Sequence, residues 1–289
     1  MDTVRIGCVK YLNTLPLIEG LGAWRECELV ACAPSGLIGM LRRGEVDVAL
    51  ASVIDAAGGG HGHMAHGHMA HSEGTEPGVV LLPVGMIGCD GATLTVRVFS
   101  RVPIERITRV AVDSESHTSV ALLQVLMWKR YGTRVEVSSG GVEEWGGGGA
   151  GKGPEAMLLI GDKVVTAAPS EREYPHQMDL GAAWKDLTGL PFVYAVWMCR
   201  EGEQDSIKVR GAAMMLERSR LHNATRMDWV VEKHAAERGW ERELAAEYVG
   251  SLLRYEVGEP EREAVEKFIA WAGEMGLCGS GGVVWAMAT

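Results

Sequence analysis

Val4-Arg5-Ile6-Gly7-Cys8-Val9-Lys10-Tyr11-Leu12-Asn13-Thr14-Leu15-Pro16-Leu17 is the stretch on which the fold turns. Its apolar run, Val4 to Val9, reads as a buried strand. The run breaks at Asn13-Thr14, and Pro16 then stands where a first helical turn favours a residue without an N–H. Asn13 or Thr14 just before it can cap such a helix. Strand, polar turn and helix N-terminus in that order place N–H groups beyond the strand end, which suits an anion. The expected site is a cleft for a small carboxylate, with this turn as one wall.

Working outward, Glu28 to Ala33 reads as a second strand. Pro34-Ser35 starts a helix that runs through Leu41-Arg42-Arg43 and stops at Gly44, and Val46 to Ala51 is a third, buried strand. Strand, helix, strand, helix, strand in so few residues indicates crossovers in a parallel α/β sheet, whose functional loops lie at the carboxyl ends of the strands. Asn13 and Ser52 both fall at such ends. Further strands are expected at Val79 to Val84, Thr93 to Ser100, Val110 to Asp113, Val135 to Ser138, Ala156 to Ile160 and Phe192 to Cys199. From Ile207 onward, amphipathic helices are expected at 207–223, 226–238, 241–254 and 260–275, with Gly279 to Gly282 as a loose tail. The strands Thr93 to Ser100 and Phe192 to Cys199 bracket a middle block. That predicts a first lobe of residues 1–92 plus 197–289, a second lobe of 93–196, and a ligand crevice between them.

Composition narrows the function. Of 289 residues, 47% are hydrophobic and 23% charged, enough to bury a sizeable core in a soluble protein. The net charge of -10 and the lack of a basic stripe argue against nucleic acid. No apolar run reaches the length of a membrane span. Met1-Asp2-Thr3 leads into the first strand without a signal-like segment, and the six cysteines stand singly, so free thiols in a reducing cytoplasm are expected. At 57–78 a Gly- and His-rich insertion carries His61, His63, His66, His68 and His71. It is read as a low-complexity surface loop and not as a functional metal site, since no fixed scaffold or surrounding shell orients its imidazoles. Gly146 to Gly153 contains the spacing GxxxxGK, but Gly153 replaces the hydroxyl that would hold magnesium and Pro154 follows where a helix should begin. No nucleotide and no other cofactor is expected.

No HExxH, GxSxG or Cys–His arrangement is present. What recurs is a small polar residue at the turn after a strand: Asn13-Thr14, Ser52, Thr95, Thr118-Ser119 and Gly161-Asp162. Hydroxyls, an amide and helix N-termini hold carboxylates and hydroxyls and do not attack them. His117, beside the hydroxyl-rich helix start Ser116-Thr118-Ser119, joins them as a candidate. Each also has a plainer reading, as a helix cap, a solvent-facing strand residue or a surface turn.

With those residues collected, the chain resembles the chorismate dehydratases of the futalosine route to menaquinone. The resemblance rests on Tyr11 to Leu17, Leu41-Arg42-Arg43-Gly44-Glu45-Val46-Asp47, Gly88-Cys89-Asp90-Gly91 and Ser116-His117-Thr118-Ser119-Val120. It continues in Leu159-Ile160-Gly161-Asp162 and from Asp179-Leu180-Gly181 through Trp184 and Thr188 to Val193, then Ala195-Val196-Trp197. It implies a two-lobe, periplasmic-binding-protein-like α/β fold of type II, with a ligand cleft between the lobes and two hinge-crossing strands. It also implies removal of water from chorismate, a dicarboxylate, to give 3-[(1-carboxyvinyl)oxy]benzoate. The family's important Asn matches Asn13, and its Ser in the strand entering the second lobe falls at Thr95. Ala92-Thr93 stands where the family commonly has Pro-Val, and His117 where it often has Arg.

The resemblance thus implies Asn13 and Thr95 as catalytic residues, and the polar turns collected above put Thr14, Ser52, His117, Thr118, Ser119, Gly161 and Asp162 around the substrate. It further implies that the substrate's own enolpyruvyl carboxylate takes the C3 proton. Two other readings stay open: a 1,4-dihydroxy-6-naphthoate synthase of the same route, and a non-enzymatic small-acid-binding protein. The oligomeric state is not legible from the chain.

Overall fold

Val4 to Cys8 form β1, in which Val4, Ile6, Gly7 and Cys8 are buried and only Arg5 is half-buried, so its place is inside a sheet. A computed structural model of the chain describes residues 3–58, 77–112, 116–140 and 153–287. The His-rich insertion and the glycine-rich stretch at 146–153 fall outside these residues except at their edges. β1 pairs in parallel with β2 (Cys27–Ala31) on one side and β3 (Val48–Ser52) on the other. Helix α2 (Pro34–Arg42) makes the crossover from β2 to β3, and the chain turns after it at Gly44, whose φ of 71° suits glycine.

The segment after β1 differs from expectation. A 3₁₀ turn at Leu12–Thr14 runs into α1 (Leu15–Ile18), a single turn of four residues, and Thr14 makes no side-chain cap. So short a helix has little dipole, and the anion site expected at its N-terminus has no basis there.

β4 (Val79–Cys89) and β10 (Phe192–Arg200) complete most of this sheet in antiparallel fashion, and β11 (Leu253–Arg254) adds a short edge. The order is β11-β4-β10-β3-β1-β2. A second sheet has the order β7-β6-β8-β5-β9, from β5 (Val96–Ser100), β6 (Arg109–Val112), β7 (Glu136–Ser139), β8 (Ala156–Ile160) and β9 (His176–Asp179). Helix α3 (His117–Tyr131) follows β6, α4 (Lys163–Thr166) follows β8, and α5 (Leu180–Thr188) follows β9.

The chain passes between the sheets twice, at 90–95 after β4 and at the end of α5 before β10. A boundary at 196/197 would fall inside β10, all of which pairs within the first sheet. Edge-to-face rings knit α5 and β10 to the C-terminal helix α9 (Glu259–Glu274): Trp184 lies 5.2 Å from Phe192, and Phe192 lies 5.1 Å from Phe268.

The remaining helices α6 (Ile207–Ala224), α7 (Met227–His234) and α8 (Arg242–Glu247) belong to the first sheet's side, where α6 packs on α1 and β4. The helix expected over 241–254 ends early. It widens into a π turn at Tyr248–Leu252 and then gives way to β11. The glycine-rich tail is not loose over its described part, because Leu81 donates to Val284 O at 2.8 Å and Ala286 donates back to Leu81 O at 2.8 Å. Among the described residues, no helix is long and apolar enough to cross a membrane.

Candidate active site

The carboxyl ends of β1, β3 and β8 converge on one cleft between the two sheets. β1 delivers Val9, Tyr11 and Asn13, and β3 delivers Ser52. Thr95 enters from the other side. β5 runs antiparallel to β8, so the start of one lies beside the end of the other, and Gly161 N–H donates to Thr95 O at 2.8 Å. Gly161 has φ of 60°, which favours glycine, and lies beside the Tyr11 ring.

The two expected catalytic residues thus face one space from opposite lobes. They meet at a third side chain that the sequence did not single out. Tyr248 opens the π turn, is fully buried, and its hydroxyl lies 2.6 Å from Thr95 Oγ1. Burial holds the phenol above its ordinary range, against hydrogen bonds from Thr95 and Asn13 that favour the charged form. Asn13 Oδ1 in turn accepts from Thr14 Oγ1 at 3.2 Å. Tyr248 stacks on Trp240, with centroids 4.9 Å apart and rings inclined by only 9°.

Ser119 and its N-cap Ser116 also line the cleft. Ser116 Oγ accepts from Ser119 N–H at 3.3 Å and donates to Ser119 Oγ at 2.9 Å. They begin the fifteen-residue helix α3, whose positive dipole end therefore lies at the cleft, a role expected of α1.

Four of the expected residues stand behind the wall. Thr14 is wholly buried against Asn13. Thr118 Oγ1 accepts from Ile54 N–H at 3.4 Å, and His117 Nδ1 lies 2.9 Å from Asp55 Oδ1, so both are spent on contacts between α3 and the 3₁₀ turn Val53–Ala57 after β3. Asp162 Oδ1 accepts from Trp240 Nε1–H at 2.9 Å. Its carboxyl is raised above the usual range chiefly by burial.

Tyr194 and Thr93 complete the hinge side of the cleft, their hydroxyls 2.7 Å apart. The Asp179 carboxylate receives the N–H groups of Thr93, Leu94 and Ala182, at 2.9, 2.7 and 3.1 Å. It thereby holds Leu94 in a left-handed conformation, φ 70°, rare for a branched side chain. This turn aims the next residue, Thr95, at the cleft. Cys89, beneath Thr93, is no nucleophile: burial pushes its thiol up to about 11.

The described lining contains no charged side chain. The cleft offers hydroxyls, one amide, a helix end and apolar walls from Val9, Leu50, Ile87 and Ile160. Such a set can orient a small polyoxygenated acid and stabilise charge that builds on it, and it supplies no strong base. Among the described residues, no group of three or more His, Cys, Asp or Glu side chains is placed to hold a metal ion.

Comparison with known proteins gives three results. Residues 75–274 match the family model described as menaquinone biosynthesis. The chain is 30% identical over 203 residues to the chorismate dehydratase of Thermus thermophilus, covering 65% of this chain and 71% of that one. Among solved structures, an Archaeoglobus fulgidus protein superposes with a TM-score of 0.68 at 18% identity, covering 95% of this chain and 98% of that one. The periplasmic aliphatic sulphonate binding protein of Escherichia coli gives 0.61 at 15% identity, covering 96% and 94%. The last two establish the periplasmic-binding-protein-like fold.

Proposed function

The chain belongs to the menaquinone-biosynthesis family, and on that premise we propose that it is a chorismate dehydratase. The observation that carries the reading is the meeting of Asn13 and Thr95 across one neutral, hydroxyl-lined cleft.

The product is 3-[(1-carboxyvinyl)oxy]benzoate. The C3–H bond breaks, its electrons form the C3–C4 π bond, and the C4–O bond breaks with the hydroxyl leaving as water. Proton and hydroxyl together are the one water lost, and the ring becomes aromatic. The C3 proton is acidic by vinylogy with the ring carboxylate. A lining of hydroxyls, an amide and apolar walls suits the substrate's own enolpyruvyl carboxylate as the group that takes this proton and passes it to the departing oxygen.

Asn13 and Thr95 then orient the side chain and the leaving hydroxyl, while the start of α3, with Ser116 and Ser119, receives a carboxylate. Holding the carboxylate over C3 turns proton removal into an intramolecular step, which can supply several kcal/mol of the barrier.

The test is incubation of the purified protein with chorismate, followed as loss of the diene absorbance and appearance of a product lighter by one water. Recovery of unchanged chorismate, together with tight binding of another small acid, would overturn the reading.

A further inference from the structure

We propose that Asp179, which does not line the cleft, is a positioning residue for the reaction: turnover depends on its carboxylate because the strained turn it holds at Leu94 fixes the place of the Thr95 hydroxyl. The inference rests on the dehydratase reading and adds to it a residue behind the cleft wall.

The turn is held by one side chain. Asp179 closes β9 opposite Arg97 of β5, and its carboxylate reaches back to the two residues that precede Thr95. Oδ2 accepts from Leu94 N–H at 2.7 Å, and Oδ1 accepts from Thr93 N–H at 2.9 Å. Oδ1 also accepts from Ala182 N–H at 3.1 Å, so the same carboxylate caps α5. Its side chain is only 10% exposed, and Arg97 Nη2 stands 3.8 Å from Oδ2 as the partner of a charge held this far from water. Hydrogen bonds to an ionised acceptor are the strong ones.

Strong bonds are needed because the backbone they hold is unfavourable. At φ 70° the Leu94 Cβ crowds the following carbonyl, a conformation that glycine adopts freely and leucine does not. Released from Asp179, Leu94 relaxes toward negative φ, and the peptide leading into Thr95 turns with it. Thr95 has little room for such a turn. Its Oγ1 lies 2.6 Å from the Tyr248 hydroxyl, and its carbonyl accepts from Gly161 N–H at 2.8 Å. A displaced hydroxyl no longer meets the charge that builds on the substrate, so the loss falls on the chemical step more than on binding. Asparagine cannot stand in for Asp179. It has one acceptor oxygen, and its NH₂ group would face a backbone N–H.

The experiment is steady-state chorismate turnover and thermal melts for the wild type, Asp179→Asn, Leu94→Gly, the double variant and Leu94→Ile. D179N is expected to lose about 30-fold in kcat with KM within about threefold of wild type, and to melt lower because α5 loses its cap. In D179N/L94G, glycine takes the left-handed turn without help. The kcat of the double variant is expected within about threefold of L94G, while its melting temperature stays low. A purely structural role would not give recovery of turnover without recovery of stability. L94I keeps Asp179 and nearly the volume of leucine but makes positive φ costlier, and it is expected to lose about tenfold in kcat. Wild-type kcat in D179N would overturn the proposal, as would a double variant no more active than D179N. If D179N does not fold, L94I decides alone, and wild-type kcat in L94I would overturn it. A wild-type protein that leaves chorismate unchanged would overturn the dehydratase reading and this proposal with it, an outcome distinct from normal turnover in the variants.

Discussion

His117 Nδ1 lies 2.9 Å from Oδ1 of the fully buried Asp55, joining the first turn of α3 to the 3₁₀ turn that follows β3. Beside it Ile54 N–H donates to Thr118 Oγ1. On the opposite side of the cleft, Tyr248 reaches Thr95 and Trp240 reaches Asp162. The cleft is therefore tied from lobe to lobe on both flanks.

The His117 pair should make stability fall as pH rises. Its hydrogen bond to Asp55 is the largest influence and raises the imidazole above the ordinary value of about 6.5, against burial. A base raised on folding contributes stability that is complete below its unfolded value and is lost as pH rises through its folded value. The melting temperature of the wild type should accordingly drop as pH rises above about 6.5, and His117→Gln should flatten that slope while costing about 2 kcal/mol below it. Melts across the pH range decide it, and equal slopes in the two proteins would refute the assignment.

Thr95 should be separable into hydroxyl and methyl. Thr95→Ser keeps the oxygen that meets Tyr248, and its kcat on chorismate is expected within about threefold of wild type. Thr95→Val keeps the shape and loses the donor, and kcat should fall about 100-fold with little change in melting temperature. Equal activity of the two variants would remove Thr95 from the reaction.

The first and third strands were legible because their burial leaves its mark on composition: every residue of Val48–Ser52 is buried, and the sequence there is nearly unbroken apolar. That Asn13 and Thr95 line one cleft follows from the strand ends at which the sequence put them. Tyr248 was not legible. Leu244, Ala245, Tyr248 and Val249 recur at helical spacing, a pattern that is identical whether the face meets a core or a cleft. A π turn has no sequence signature that distinguishes it from a continued helix. His117 and Thr118, polar residues at a helix start, have structural partners that the sequence does not reveal: Asp55 and Ile54 lie more than sixty residues away, and only the fold brings them together. The tail at 279–282 misled for the same reason, since Gly279 N–H bonds to Gly58 O.

Gly181 should tolerate no side chain. It is the second residue of α5, and a Cβ there would run into Thr93 Oγ1 and would lie 2.5 Å from Gly91 O and 2.6 Å from Cys89 Sγ. All three belong to the segment by which the chain leaves β4 for the second sheet, and the Gly91 carbonyl is backbone that cannot rotate away. Gly181→Ala is expected to cost about 3 kcal/mol in chemical denaturation and to disturb Thr93 and Thr95 with it. Gly211→Ala, in an open stretch of α6 with nothing within 4 Å of the added methyl, is the control and should be neutral or slightly stabilising. A cost for G181A no larger than that of the control would show that the hinge gives way freely.

Asp162 should be better replaced by its amide than kept, as far as stability is concerned. Its carboxyl is raised on folding, with burial the largest cause, only partly opposed by the Trp240 hydrogen bond and the nearby Arg238. For an acid raised on folding, the folded state binds more protons than the unfolded one, so stability is lost as pH climbs from the ordinary carboxylate value, about 4, through the folded value. At pH 7 the charged form is therefore held at a cost. Asp162→Asn removes that cost and still offers Oδ1 to the Trp240 indole at the same place. D162N is expected to melt at or above the wild-type temperature at pH 7, with the difference closing below about pH 4, and to retain chorismate turnover. Asp162→Leu removes the acceptor as well, freeing the indole on which Tyr248 stacks, and should lose activity together with the environment of that tryptophan, read as a shift in its fluorescence. If D162N is the less stable protein at pH 7, the carboxylate charge itself is what Trp240 and Arg238 require, and the two lobes are joined at this flank by an ionic contact instead of a neutral hydrogen bond.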